Sequence, residues 1–361
     1  MSGVLDCIAR EAEEGGSVMA GGPVMAMRRR LGGGAPASGR GAALSIGLGA
    51  VIVAASEHEP RVLTIRHAER GGAAVEALPA GPLEAEHRTL EIGLRSWVER
   101  QTSQRLGYVE QLYTFGDRDR LIGAAPAANS ALTVAYLALV REMRPAGSAE
   151  AVWQSWYRYL PWEDWRGGKP PSLAPIESAL AAWVAAAPGE AEARLREVRS
   201  HVAFGLQAAS WNEELVLERY ELLYEAGLVA AATRDQGRAP EAGRAAATGV
   251  AMAVDHRRIL ATAVGRLRGK IKYRPVVFEL MPPAFTLSQL QRTVEALSGV
   301  RLHKQNFRRL VEQQGLVEET GEISAATGGR PARMVRFRPE VLLERPAPGL
   351  RLRAGRRMAV S

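Results

Sequence analysis

Cysteine is almost missing from this 361-residue chain, which holds only Cys7. A lone thiol excludes an intramolecular disulfide and a cysteine-built zinc cluster, and it suits a reducing cytoplasm. Histidine is scarce too, and His87, His256 and His303 lack metal-ligand spacing, so no metal is assigned. No apolar run is long enough to span a membrane. Acidic residues are in deficit, at 39 Asp+Glu against 47 Lys+Arg, but the deficit is local. Residues 256–361 carry 21 Lys+Arg and 8 Asp+Glu, whereas the rest carries 26 and 31. A polyanionic partner is therefore expected for the C-terminal module alone, with steeply salt-dependent binding.

What is present in that module reads as a winged helix-turn-helix. KYRPVVFELMPPAF is an apolar helix halted by Pro282 and Pro283. TLSQLQRTVEALSG follows, with Thr286 as N-cap and Gly299 as terminator. RLHKQNFRRLVEQQG is a short basic helix ending at Gly315. LVEETGE, the glycine-containing SAATGG and RPARMVRFR then give strand, loop and basic strand, the layout of a wing. Leu302, Phe307, Leu310 and Val311 form an inner face of the basic helix. His303, Lys304, Gln305, Asn306, Arg308 and Arg309 are left to meet a major groove. Asn306 fits either base reading or local capping. Arg330, Arg333 and Arg336 lie on the wing, where phosphate or the minor groove is in reach.

Residues 1–42, rich in Gly, Ala and Arg, show no apolar periodicity and are expected to be disordered. MAMRRRLGGG before AALSIGLGAVIVAAS has the look of a signal peptide, but the matching run RVLTIRH after SEHEP favours a strand hairpin over 43–67. RTLEIGLRSWVERQT is a helix with Leu90, Leu94, Trp97 and Val98 on one side. YVEQLYTFG and ALTVAYLALV are strands, the second central. Residues 151–235 form a helical, tryptophan-rich insertion whose clearest helix runs from Ser210, capped with Glu213, to Gly227. Trp153, Trp156, Tyr157, Trp162 and Trp165 suit core packing or dimer contact more than stacking on an adenine. A Gly/Ala linker over 236–248 leads to VAMAV, expected as a strand, and to a helix capped at Asp255. The expected organisation is thus an N-terminal segment 1–42, a sensor 43–254, a linker helix with winged helix 255–345 and a basic tail 346–361.

LPAGPLEAEHRTLEIGLRSWVERQTS has the layout of a Nudix box, in which carboxylates on one helical face hold Mg²⁺ against a diphosphate. Counted from Gly81, the first glutamate position holds His87. Arg95 is in place, but the three later acidic positions hold Ser96, Glu99 and Arg100. A lone carboxylate beside arginines is a poor divalent-metal site, so no catalytic residue is assigned.

With KIKYRPVVFELMPPAFTLSQLQ, LHKQNFRRLVEQQGLVEETGE, GGRPARMVRF, EQLYTFGD and MAVDHRRILATA, this degenerate box resembles the Nudix-related transcriptional regulators of NAD metabolism. The resemblance covers roughly 43–150 and 250–340. It implies an α+β protein: a Nudix-like mixed-sheet α/β sandwich with a helical insertion, then a C-terminal winged helix-turn-helix. It further implies a homodimeric repressor of NAD synthesis or salvage genes, bound to a palindromic operator in double-stranded DNA and without a cofactor. Its Nudix domain would sense ADP-ribose, NAD or a related metabolite, with Arg66, Arg95 and Glu99 as effector-side candidates. A Nudix hydrolase of ADP-ribose-like nucleoside diphosphates is the alternative.

Overall fold

From Leu48 to Ala54 the first strand is apolar apart from Gly49, and none of its apolar side chains is more than 1% exposed. Such a run must be covered on both faces of a sheet. The computed structural model describes residues 44–68, 74–116, 130–142, 151–237, 247–324, 331–344 and 348–350. The expectations for 1–42, the middle of the 236–248 linker, the wing loop with Arg330 and most of the tail lie outside those residues.

β1 (Leu44–Ala55) and β2 (Pro60–Ala68) form the expected antiparallel hairpin, with Val53 opposite Val62. β3 is Ala74–Ala77 and β4 is Ala80–Pro82. The box helix α1 is Leu90–Thr102, followed by β5 (Tyr108–Phe115) and β6 (Ser130–Leu139). β6 runs parallel to β1 from Leu44↔Ser130 to Val53↔Leu139, so it is central, as expected. The order is β3-β2-β1-β6-β5, with β4 paired to β1. β7 (Ala151–Ser155) pairs antiparallel with β2, so the tryptophan-rich segment begins as a sheet strand.

The two-residue period of the strands divides the core. Leu48, Ala50, Ile52, Val134, Tyr136 and Ala138 face α1 through Leu94 and Val98. Val51, Val53, Ala135, Leu137 and Leu139 face the opposite way, toward a larger core that includes Trp156, Trp162 and the helix after residue 255. The sheet, with parallel and antiparallel pairs, is thus sandwiched between α1 and that second layer.

The second layer holds α2 (Leu173–Ala185), α3 (Glu190–Phe204), α4 (Val216–Glu225), α5 (Ala230–Asp235) and α6 (His256–Tyr273). Several local expectations need correction. Ser210 does not cap a helix with Glu213. The helix starts at Val216 without a side-chain cap, and Glu213 instead meets the Lys272 ammonium at 2.8 Å. Gly265 and Gly269 of α6 allow this approach, since a Cβ at Gly265 would lie 2.8 Å from the Glu214 carbonyl. VAMAV is not a strand. Gly249 (φ 76°) and Val254 (φ 43°) bracket it with left-handed backbone, which breaks an extended run. Asp255 occupies the N-cap of α6 but makes no side-chain capping bond. The apolar helix expected over 272–285 is split, because Arg274 before Pro275 is extended and only a 3₁₀ segment, Val276–Leu280, follows. The start of the tail is docked: Leu350 is fully buried and its N–H donates to the Ile271 carbonyl at 3.0 Å.

The C-terminal part follows the expected order. β8 (Phe285–Thr286), α7 (Leu287–Ser298), α8 (Lys304–Gln313), β9 (Val317–Ser324), β10 (Ala332–Phe337) and α9 (Val341–Glu344) come in turn. β10 lies between β8 and β9. Thr286 makes a complete capping box with Gln289, and Gly299 ends α7 with φ 75°. Phe278 stacks on Phe337 at 4.4 Å, fastening the wing to the 3₁₀ segment.

Candidate nucleic-acid interface

Helix α8 is sharply two-sided. Phe307 and Val311 are buried at 2% and 0%, while Leu302 and Leu310 are half-buried. His303, Lys304, Gln305, Asn306, Arg308 and Arg309 are all exposed. The short helix therefore presents a basic, hydrogen-bonding face, as the residue spacing predicts. His303 is its N-cap and makes no side-chain cap bond.

The turn before α8 is pinned. The Leu302 N–H donates to a Glu295 carboxylate oxygen at 2.9 Å, and Gln291 Nε2 donates to the Leu302 carbonyl at 2.9 Å. Arg301 closes an ion pair with Glu295 at 2.9 Å.

On the wing, Arg333 and Arg336 are exposed, but each is held by a glutamate of the neighbouring strand. Arg333 Nη1 reaches Glu319 at 2.7 Å, and Arg336 Nε reaches Glu318 at 2.6 Å. The hydrogen bond that Arg333 donates to Glu319 holds its guanidinium above its ordinary pKa. The wing arginines thus carry counter-charges, whereas Lys304, Arg308 and Arg309 form no ion pair among the described residues.

On the α1 side of the sheet, Ile92, Arg95, Ser96, Glu99 and Arg100 line an open groove of about 480 Å³. Arg95 and Glu99 are thereby brought together, while Arg66 is exposed on β2 opposite Glu76 and is not among the lining residues. Arg100 and Ile92 were missed as effector-side candidates. The signal for Arg100 was present, since it stands at a lost acidic position of the box.

The carboxylates near the groove are matched by cations. Glu91 pairs with Arg95 at 2.7 Å, Glu84 with Arg100 at 3.0 Å and Glu99 with Arg105 at 3.4 Å. His87 Nδ1 accepts from the Glu84 N–H at 3.1 Å. Carboxylates already held by guanidiniums do not form the free acidic set that a divalent ion needs. Gly81 has a packing role here, because a Cβ on it would overlap the Trp97 indole, whose Nε1 donates to the Pro82 carbonyl at 2.7 Å. Trp156 and Trp162 are fully buried and Tyr157 nearly so, which makes them core residues rather than a stacking surface.

The comparisons with known proteins cover different shares of the chain. A repressor of Acinetobacter baylyi described as ADPR responsive, NtrR, is 43% identical over 86 residues, covering 24% of this chain. The chain spans 34% of that relative's length. NrtR of Shewanella oneidensis, solved with a 27mer DNA, aligns over 82% of this chain and 94% of its own at 20% identity and TM-score 0.49. A MutT/nudix family protein of Enterococcus faecalis aligns over 93% of both chains at 14% identity and TM-score 0.48. Residues 277–337 match the family described as the NrtR DNA-binding winged helix domain. That segment, 277–337, is the part of the chain that is similar to the NrtR winged helix family.

Proposed function

We propose that this protein is a DNA-binding transcriptional repressor of NAD synthesis or salvage genes, with a Nudix-like domain that senses ADP-ribose or a related metabolite. The observation that carries this reading is the exposed face Lys304, Gln305, Arg308 and Arg309 on a helix inside a segment matching the NrtR DNA-binding domain. Those side chains meet bases and phosphates in the major groove, and Arg333 and Arg336, with Arg330, meet phosphate or the minor groove. Two copies of the chain then read a palindromic operator, one half-site each. The groove beside Arg95, Glu99 and Arg100 takes the diphosphate of the effector, with the guanidiniums as charge-matched donors.

Sensing rather than turnover follows from the same chemistry. The box offers Glu99 alone in register, and that carboxylate faces Arg105. Release of AMP from ADP-ribose in the presence of Mg²⁺ would overturn the sensor-only assignment.

The test is binding of the full chain to promoters beside NAD biosynthetic genes, with and without ADP-ribose. A shifted promoter fragment whose affinity changes with ADP-ribose supports the proposal. Absence of binding at every such promoter rejects the target class. Calorimetry with ADP-ribose, NAD and nicotinamide mononucleotide separates a sensor from a scaffold, because a scaffold gives no heat with any of them.

A further inference from the structure

The last carbonyls of a helix have no partner within it and must find one elsewhere. At the end of α7, just before the turn into the DNA-facing helix, those partners come from outside the winged helix. Tyr157 Oη donates to the Ala296 carbonyl at 2.7 Å. Arg268 Nε donates to the Leu297 carbonyl at 3.0 Å. The Trp165 N–H donates to the Gly299 carbonyl at 2.7 Å. Two of these donors belong to the tryptophan-rich segment and the third to α6. Arg268 also places a positive charge at the negative end of the α7 dipole.

The donors are themselves held by a buried charge cluster. Glu163 accepts from Arg219 Nε and Nη2 at 2.6 and 2.9 Å and from Arg268 Nη1 at 2.5 Å, and all three side chains are fully buried. Arg268 Nη2 further donates to the Glu163 carbonyl at 3.2 Å. Arg219 is anchored by the Ala203 and Asn212 carbonyls, both at 2.9 Å. The socket closes around Gly299, where a Cβ would overlap the Glu163 carbonyl and lie 3.0 Å from Tyr157 Oη. Beyond it, Arg301 Nε donates to the Arg166 carbonyl at 3.3 Å.

We infer that the tryptophan-rich insertion is a socket for the helix-turn-helix, and that Tyr157 and Glu163 are positioning residues for the DNA-facing helix. Arg268 carries the effect of Glu163 to α7. The end of α7 and the turn after it set where α8 sits, so the socket sets how the exposed polar side chains between His303 and Arg309 meet base edges. The non-specific attraction to phosphate depends on charge count rather than on that placement, and it is left untouched. This role rests on the DNA-binding reading given above.

The test uses the full chain, with a duplex enriched by the wild type from a random-sequence pool and an unrelated duplex of equal length. Tyr157→Phe removes the donor to Ala296 and, with it, a longer contact in which the hydroxyl accepts from Arg268 Nη2 at 3.5 Å. Arg219→Met touches no atom of the winged helix and leaves Glu163 facing the single guanidinium of Arg268, a neutral buried pair. Both variants are expected to stay folded by near-ultraviolet circular dichroism and to lose about fivefold in affinity for the enriched duplex, the scale of one buried hydrogen bond. Affinity for the unrelated duplex and its salt slope stay within about twofold of wild type. Faster hydrogen exchange confined to residues 296–303 accompanies the loss. Unchanged preference for the enriched duplex in both variants overturns the positioning role, as does equal loss on both duplexes. Failure of the wild type to enrich any duplex overturns the DNA-binding reading instead.

Discussion

Glu57, at the tip of the β1–β2 hairpin, holds Arg292 of α7, with Arg292 Nε donating to its carboxylate at 2.8 Å. Gln289 Nε2 donates to the other oxygen at 2.9 Å. The β1–β2 hairpin therefore touches the first helix of the helix-turn-helix directly. Burial alone would raise the pKa of Glu57, but the hydrogen bonds from Gln289 and Arg292 outweigh it and hold the carboxyl below its ordinary value. A carboxylate depressed in the folded state contributes stability above its unfolded pKa, and that contribution is lost as pH falls through the folded value. Glu57→Gln is expected to cost about 0.5–1 kcal/mol at neutral pH in urea unfolding. Its stability should fall less than that of the wild type below about pH 4.3. The change in DNA affinity caused by ADP-ribose should also shrink, which a titration with and without the metabolite measures.

The buried cluster behaves differently. Burial pushes the Glu163 carboxyl up, but Arg219 and Arg268 more than offset this and hold it below the carboxylate range. Glu163→Ala leaves two guanidiniums buried without a counter-charge and is expected to cost about 3–5 kcal/mol. Replacing all three side chains with apolar ones of similar volume should recover most of that stability. Equal urea midpoints for the wild type and Glu163→Ala at pH 7 would contradict the assignment. In the wild type, this contribution is present above about pH 4.3 and lost on further acidification.

Lys304→Ala and Arg309→Ala should each weaken binding to an operator duplex and lower the salt slope by about one unit. Both residues are exposed, so thermal stability should stay near that of the wild type. Fluorescence anisotropy over a series of salt concentrations makes the measurement.

The wing leads to an opposite expectation. Glu318 and Glu319 occupy Arg336 and Arg333, so these arginines meet phosphate only by giving up an ion pair. Glu318→Gln and Glu319→Gln are expected to raise DNA affinity by about two- to fivefold, since exposed pairs of this kind are weak. A fall in affinity would show that the glutamates orient the arginines rather than compete for them.

Much of the C-terminal part was legible because each boundary carries its own chemistry. Thr286 and Gln289 close a capping box, Gly299 takes the left-handed backbone, and Phe307 and Val311 fall on one side of a short helix. The β1–β2 hairpin and the central β6 were legible from their apolar runs. The insertion was not. Glu213 looks like a capping residue until Lys272 draws it away, and VAMAV looks like a strand until Gly249 and Val254 bend its ends. Tertiary partners decided these positions, and local pattern has no access to them. The same holds for Glu163, Arg219 and Arg268, charged residues far apart in the chain whose burial no periodicity announces. The groove along α1 was legible only in part: Arg95 and Glu99 stand together in it, while Arg66 is not among its lining residues and Arg100 was passed over.

The parallel pairing of β1 with β6 also bears on the order of assembly. Leu44 waits for Ser130 before the middle of the sheet exists, and such distant pairings form slowly. The helix-turn-helix, synthesised later, then finds its resting place on a platform completed by residues 157–165 and α6. Damage to the platform should therefore surface first as misplacement of the most distal helices. A chain interrupted early would leave its last helices without a place to settle.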